Sequence, residues 1–253
     1  MQANDRREQI LAMLIESGYL NANHLSKQFN VDSSTVRRDL IHLEKSGQII
    51  RTHGGVLPAL ATQAQDTPYN IRKGRNHDQK VAIGKYAATL ISDGDSVILD
   101  NGSTVYELAT QLIFKQNITV ITNDLNIALL LSQYPNINLN VTGGAVAGNS
   151  LTLVGPDATR KFGEIYADWA FMGAEGVHTE IGITNVNTIE IPTKLAILQA
   201  ARKKVILADS SKIGYRALSH VCSLDEIDMI ITNKIKNEKS LLSFNGKLVF
   251  SNE

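Results

Sequence analysis

The chain has 253 residues, and its 25 lysines and arginines are balanced by 25 aspartates and glutamates to a formal net charge of zero. A hydrophobic share of 43% against 20% charged residues excludes global disorder and supplies a sizeable core. The length suits one large domain or an ordinary domain with a small companion. No apolar run approaches the ~20 residues of a membrane-spanning helix. Met1 to Arg7 is polar, without the apolar stretch of a secretory leader. The single Cys222 makes neither an internal disulfide nor a cysteine-based zinc cluster. A cytoplasmic protein with no membrane partner is expected. A zero net sum leaves a nucleic-acid partner open, because it says little about any one face.

Residues 1–58 read as a separate unit. A helix beginning at Asp5 places Ile10, Met13 and Leu14 on one face and ends near Gly18. Asn21 caps a second helix bearing Leu25 and Phe29. Asp32 caps a third, in which Val36, Leu40 and Leu43 form a buried stripe before Gly47 ends it. With Val36 set at zero and about 100° per residue, Ser34 lies near 160°, Arg38 near 200° and Arg37 near 100°, so both arginines leave the buried face. Two short helices joined around Asn30 and Val31, then a face of Ser33, Ser34, Thr35, Arg37 and Arg38, suit a helix-turn-helix. Its third helix enters the major groove of double-stranded DNA, hydroxyls meeting phosphates or bases and arginines meeting guanine or backbone. Residues 48–57 read as two strands around a glycine turn, a wing carrying Arg51, His53 and Gly54 towards the backbone or minor groove. Charge does not support this reading, since the unit holds seven basic residues against six acidic, and on that balance alone a small three-helix domain with solvated arginines fits better.

Residues 59–76, without a clear apolar period, read as a linker. Five lysines and arginines lie between Arg72 and Lys85, either as a solvated helix start or facing DNA. From residue 77 onward short apolar runs alternate with helical stretches. Strands are expected at 96–100, 118–122, 137–142, 169–172, 204–208, 229–232 and 247–250, and helices near 79–91, 104–113, 124–132, 190–201 and 236–242. Near-continuous apolar strands alternating with helices imply an open α/β domain around a mostly parallel sheet, over residues 77–253. Ligands bind such sheets at the carboxyl ends of the strands, and those ends are polar or glycine-rich here. Asp100-Asn101-Gly102-Ser103-Thr104 runs from strand into helix, where free amides favour an anion. Thr122-Asn123, Thr142-Gly143-Gly144, Gly173-Ala174-Glu175-Gly176 and Asp209-Ser210-Ser211-Lys212 follow other strands. Glu190 and Lys194, four apart, either reach this pocket or form a surface pair worth about 0.2–0.5 kcal/mol.

The string Ser34-Thr35-Val36-Arg37-Arg38-Asp39-Leu40, then Leu43-Glu44, Gly47 and Arg51-Thr52-His53-Gly54-Gly55, resembles the DeoR family of bacterial transcription regulators. The spacing back to Arg6, Ile10 and Leu14 matches too. Asp32 stands where that family usually has Ser, and both are good N-caps. Asp39 is read as orienting Arg38, Arg51 or another basic group, since a carboxylate facing phosphate is repelled. The strand-end segments resemble the family's effector domain, which is similar in fold to ribose-5-phosphate isomerase and glucosamine-6-phosphate deaminase. The resemblance implies that Gly102, Ser103, Thr104 and Lys212 hold a phosphate and that Asp100, Asn123, Glu175 and Asp209 read sugar hydroxyls. Thr122, Gly143, Gly144, Gly173, Glu190 and Lys194 complete the expected site. It further implies a repressor of a sugar-catabolism operon that binds operator DNA and a phosphorylated sugar as a homo-oligomer, dimer or tetramer. Six histidines lie scattered without ligand spacing, so no metal or cofactor is expected. A sugar-phosphate isomerase or deaminase with an appended DNA-binding domain is the alternative. Against it, the isomerases continue past the position of Glu175 with a lysine and a glycine-rich stretch, where this chain runs Gly176-Val177-His178-Thr179-Glu180.

Overall fold

The computed structural model describes residues 3–17, 19–46, 48–52, 55–58, 69–234, 244 and 246–251, and the chain divides into two compact units, Met1–Arg75 and Asn76–Glu253. Gly18, Gly47, the wing residues His53 and Gly54, residues 59–68 of the expected linker and the helix expected over 236–242 lie outside the described residues.

The first unit comprises α1 (Ala3–Ser17), the short β1 (Leu20–Asn21), α2 (Ala22–Gln28), α3 (Ser33–Lys45), β2 (Ile49–Thr52), β3 (Gly55–Pro58) and α4 (Tyr69–Gly74). α4 therefore occupies part of the stretch read as linker. β3 pairs antiparallel with both β1 and β2, which makes the wing part of a three-stranded sheet. Ile10, Leu14, Leu25, Val36, Leu40, Leu43, Ile49 and Val56 form the core, none more than 2% exposed. Asn21 caps α2 as expected, its side chain accepting the Asn23 amide. Asp32 occupies the N-cap of α3 but, among the described residues, its side chain makes no cap hydrogen bond. Its carbonyl instead accepts the amides of Thr35 and Val36, which leaves the exposed carboxylate in water.

The second unit runs α5 (His77–Thr89), β4 (Ser96–Leu99), α6 (Ser103–Leu112), β5 (Ile118–Thr122), α7 (Leu125–Leu131), β6 (Ile137–Val141), β7 (Ala145–Ala147), β8 (Thr152–Val154), α8 (Pro156–Gly163), β9 (Ala167–Gly173), β10 (Gly176–His178), β11 (Gly182–Asn185), α9 (Ile191–Gln199), β12 (Ala201–Leu207), β13 (Ser219–Cys222), β14 (Met229–Thr232) and β15 (Leu248–Phe250). Seven strands form one sheet in the order β15-β14-β12-β9-β4-β5-β6, and every neighbouring pair is parallel. Alternate residues enter two separate cores. Ile98, Ala170, Met172, Ile206 and Ile230 pack with Phe162 of α8 and Ile197 of α9. Val97, Leu99, Phe171, Val205, Leu207 and Ile231 pack with Ile83 of α5, Leu108 of α6 and Ile127 of α7. Both faces of the inner strands are therefore covered, which is why those strands read as apolar runs, while the edge strand β6 alternates, Ile137-Asn138-Leu139-Asn140-Val141. α5 and α6 cross with their backbones nearly touching, since a Cβ on Gly84 would stand 2.6 Å from the Glu107 carbonyl carbon.

Two small sheets were not anticipated. β7 and β8 form a hairpin beyond Gly144, and β10, β11 and β13 form an antiparallel sheet beyond Glu175. These strands are three or four residues long, and all but β7 mix polar residues or glycine with apolar ones. The basic stretch between Arg72 and Lys85 is not uniformly solvated either: Arg75 and Lys85 are exposed, but Lys80 is buried on α5.

Candidate functional site

On the first unit the arrangement is set by α3. Ser33, Ser34, Arg37 and Arg38 are exposed and Thr35 is half-buried, while Val36, Leu40 and Leu43 hold the opposite side in the core. The turn between α2 and α3 is made by Asn30 at φ 50°, a left-handed conformation that asparagine tolerates better than most side chains. Arg51 on β2 is exposed and stands 3.8 Å from Glu44, a surface pair of little energetic weight. The basic groups held by Asp39 are Arg6 and Arg7 of α1, rather than Arg38 or Arg51. Arg6 Nε donates to Asp39 Oδ2 at 2.6 Å and Arg7 Nε to Oδ1 at 2.9 Å, with the carboxylate 2% exposed. Asp39 is thus turned inward onto α1, and the serines and arginines of α3 are left facing out.

On the second unit the parallel sheet brings its strand ends to one edge. Lys194, on α9, donates to Asp100 Oδ2, to Asn101 Oδ1 at 3.4 Å and to the Gly173 carbonyl at 3.3 Å. Burial opposes its ammonium, yet the nearby carboxylates of Asp100, Glu190 and Glu175 outweigh that and hold its pKa above the ordinary lysine value. Glu190 accepts from Asn101 Nδ2 at 3.4 Å, Ser150 Oγ at 3.3 Å and Asn185 Nδ2 at 3.0 Å. Glu190 and Lys194 are 4% and 3% exposed, so the surface-pair alternative is overturned and both belong to this buried network. The sequence reading missed Asn101, Ser150 and Asn185. The last two sit on segments whose strands were not anticipated, and nothing in their spacing tied them to Glu190.

Gly102 precedes α6 at φ 139°, which a side chain at that position would resist. Its amide is held by Asp124 Oδ2 at 3.2 Å. Asp124 also caps α7 through the amides of Asn126 and Ile127. Burial pushes the Asp124 carboxyl above its ordinary value despite these bonds. Asp124 is a fourth residue the sequence reading left out, although its place at a helix start was legible. The amides of the first turn of α6 follow, with Ser103 and Thr104 buried.

The other expected residues divide. Lys212 pairs with Glu175 at 2.6 Å, so the residue assigned to a phosphate and one assigned to hydroxyls hold each other. Asp209 accepts from the Ser211 amide and hydroxyl and from Asn76 Nδ2. Thr122 is structural: its hydroxyl donates to the Leu99 carbonyl at 2.7 Å and accepts the Asp124 amide at 3.0 Å. Asn123 donates to the Leu153 carbonyl, and its Oδ1, like Asp100 Oδ1, is buried without a partner among the described residues. Gly143 and Gly144 both take positive φ where the chain enters β7, and the backbone of Gly144 packs against the Val154 carbonyl.

A winged helix-turn-helix with an outward basic face, followed by a doubly covered parallel sheet with a polar network along its carboxyl edge, defines a DNA-reading regulator with a sensor domain. Residues 6–59 match the DeoR-like helix-turn-helix domain and residues 75–234 the DeoR C-terminal sensor domain. The chain belongs to the DeoR family of transcriptional regulators. It is 37% identical to the HTH-type transcriptional regulator GolR of Listeria innocua, over 91% of each chain. It is 34% identical to the HTH-type transcriptional repressor GlcR of Bacillus subtilis, over 97% of this chain and 95% of that one. Among solved structures, ribose-5-phosphate isomerase A of Methanocaldococcus jannaschii aligns over 55% of each chain with 23% identity and a TM-score of 0.41. Among the described residues no helix is long and apolar enough to cross a membrane.

Proposed function

We propose that this regulator represses a sugar-catabolism operon: α3 and the wing bind operator DNA, and a phosphorylated sugar at the carboxyl edge of the large sheet changes that affinity. The observation that carries the DNA half is the exposed Ser33, Ser34, Arg37 and Arg38 face opposite a fully buried stripe. The name of GlcR, a repressor, supports the direction of regulation. For the effector, the free amides of α6 with Gly102, Ser103 and Thr104 suit a phosphate, and the unpartnered acceptors Asp100 Oδ1 and Asn123 Oδ1 suit sugar hydroxyls. Thr122, Gly143, Gly144 and Gly173 shape the backbone around them, while Glu190 and Lys194 hold Asp100 and Asn101 in place. Lys212 reaches the phosphate only by exchanging Glu175 for it, and Asp209 orders the Ser211-Lys212 turn. His53 and Gly54 belong to the proposed DNA contacts as residues of the sequence between β2 and β3. The chain works in the cytoplasm as a homo-oligomer, two DNA-reading units meeting two half-sites, and it performs no catalysis.

Fluorescence-anisotropy titration of DNA from upstream of the chain's own gene, at fixed salt with and without a panel of phosphorylated sugars, tests this reading. Specific binding altered by one sugar phosphate is expected. Specific binding indifferent to every sugar removes the sensor half, and no specific binding returns the enzyme alternative. Within that assay, Arg38→Ala is expected to cost about 1–3 kcal/mol and to relax preference at one base pair. A uniform loss across all operator variants reassigns Arg38 to a phosphate. Lys212→Ala is expected to weaken phosphorylated-sugar binding about 10-fold or more, the worth of a charge-assisted hydrogen bond, while sugar-free DNA affinity stays constant. Equal sugar affinity in the variant removes Lys212 from the site.

A further inference from the structure

Asp39 is shared by two guanidinium groups, and one carboxylate neutralises only one of them. The Arg6–Asp39–Arg7 cluster therefore carries a net positive charge, and the two arginines are not equivalent. The Arg6 side chain is 7% exposed and closed in, whereas that of Arg7 is 21% exposed. Arg7 gives Nε to Asp39 Oδ1 at 2.9 Å and one Nη1 hydrogen to the exposed Asn4 Oδ1 at 3.4 Å. Its remaining Nη1 and Nη2 donors meet no partner among the described residues. On the wheel of α3, Asp39 lies about 100° from Arg38, so the surplus charge is fixed on a flank of the outward face.

We infer that Arg7 is a DNA-phosphate ligand, its guanidinium set in place by Asp39 and its free edge turned to the backbone beside the groove that α3 enters. This rests on the DNA-binding reading of the first unit. A guanidinium suits the task, since one edge engages a carboxylate while the other retains parallel donors for phosphate oxygens. Fixing the group through Asp39 removes much of the side-chain entropy that a free arginine loses on binding. Asp39 is then a positioning residue, acting through Arg7.

The test uses the full-length protein and a duplex enriched by that protein from random sequence. Each phosphate contact steepens the fall of log affinity with log salt by about 0.9. Arg7→Gln, which retains a donor for Asp39 and leaves Arg6 on it, is expected to flatten the slope by about 0.9, so that it loses about 3.5-fold less affinity than the wild type over a fourfold rise in salt. The ratio of enriched to scrambled duplex binding is expected to stay constant. Arg7→Lys, which keeps the charge and loses the fork, should retain the wild-type slope at lower affinity. A slope unchanged in Arg7→Gln overturns the proposal while leaving DNA binding intact; a wild type that binds no duplex removes the DNA reading itself. Phenylglyoxal labelling of the wild-type protein, read by peptide mass spectrometry, needs no variant. Arg7 should be protected by the duplex while the exposed Arg202 is not, and equal labelling of Arg7 with and without DNA also overturns the assignment.

Discussion

Asp39→Ala is expected to remove a large part of the stability of the DNA-reading unit. The carboxylate is 2% exposed and holds Arg6 at 2.6 Å and Arg7 at 2.9 Å. Without it the Arg6 guanidinium stays buried with no counter-charge, and breaking a buried pair from one side costs about 3–5 kcal/mol. At roughly 0.05–0.15 kcal/mol per residue, a unit of some 75 residues has only about 4–11 kcal/mol in total, so the loss is a large part of its stability. The consequence is local. Hydrogen exchange read by mass spectrometry should show amides of α1 and α3 losing protection while those of β4, β9 and β12 keep theirs, and DNA binding should fall on every duplex alike. Unchanged protection along α3 would show that the cluster is solvated and contributes little. Arg7→Gln leaves Asp39 with Arg6, so it should weaken DNA binding without this loss of protection. The pair of variants thereby separates holding the fold from touching the backbone.

The Asp39 cluster also shows where sequence reading stops. That α3 buries Val36, Leu40 and Leu43 and turns Arg37 and Arg38 outward follows from a 3.6-residue period, which needs no knowledge of other elements. That Asp39 faces inward follows from the same wheel, but its partners lie 33 and 32 positions away on α1, and no local pattern names them. The second unit repeats the lesson. The inner strands of the seven-stranded sheet were legible because burial on both faces gives an apolar run, whereas the edge strand β6, Ile137-Asn138-Leu139-Asn140-Val141, alternates. β7 is only three residues long, and β8, β10, β11 and β13 mix polar residues or glycine with apolar ones, so Ser150 and Asn185 remained hidden. Asp124 was legible as the start of α7, but its second task, holding the Gly102 amide across 22 positions, depends on β4 and β5 being neighbours. Glu190 and Lys194 were undecided because i,i+4 spacing is identical on a solvated helix and on a buried one. Only the burial of α9 against the sheet distinguishes the two.

That burial gives Lys194→Met the other large expected effect. Asp100 is fully buried, and Lys194 supplies both its counter-charge and the hydrogen bonds that tie Asn101 and Gly173 to it. The methionine fills the lysine's volume but leaves the Asp100 carboxylate uncompensated, with the Glu190 carboxylate nearby now unopposed. A loss of about 3–5 kcal/mol is expected, measured as a lower urea midpoint at an unchanged slope. Removing both charges tests the cause, because a buried pair replaced as a unit is often close to neutral. Asp100→Asn with Lys194→Met should therefore recover most of the stability that the single variant loses. A double variant as unstable as the single one would place the cost in packing of the α9 side chain instead of in the charge. The effect should also be insensitive to pH near neutrality. The Lys194 pKa is raised above its unfolded value, so its contribution is complete below the ordinary lysine value and is lost only as pH rises through the folded one. A wild-type advantage over Lys194→Met that collapsed between pH 6 and 8 would mean that some other group, and not this ammonium, holds the strand ends together.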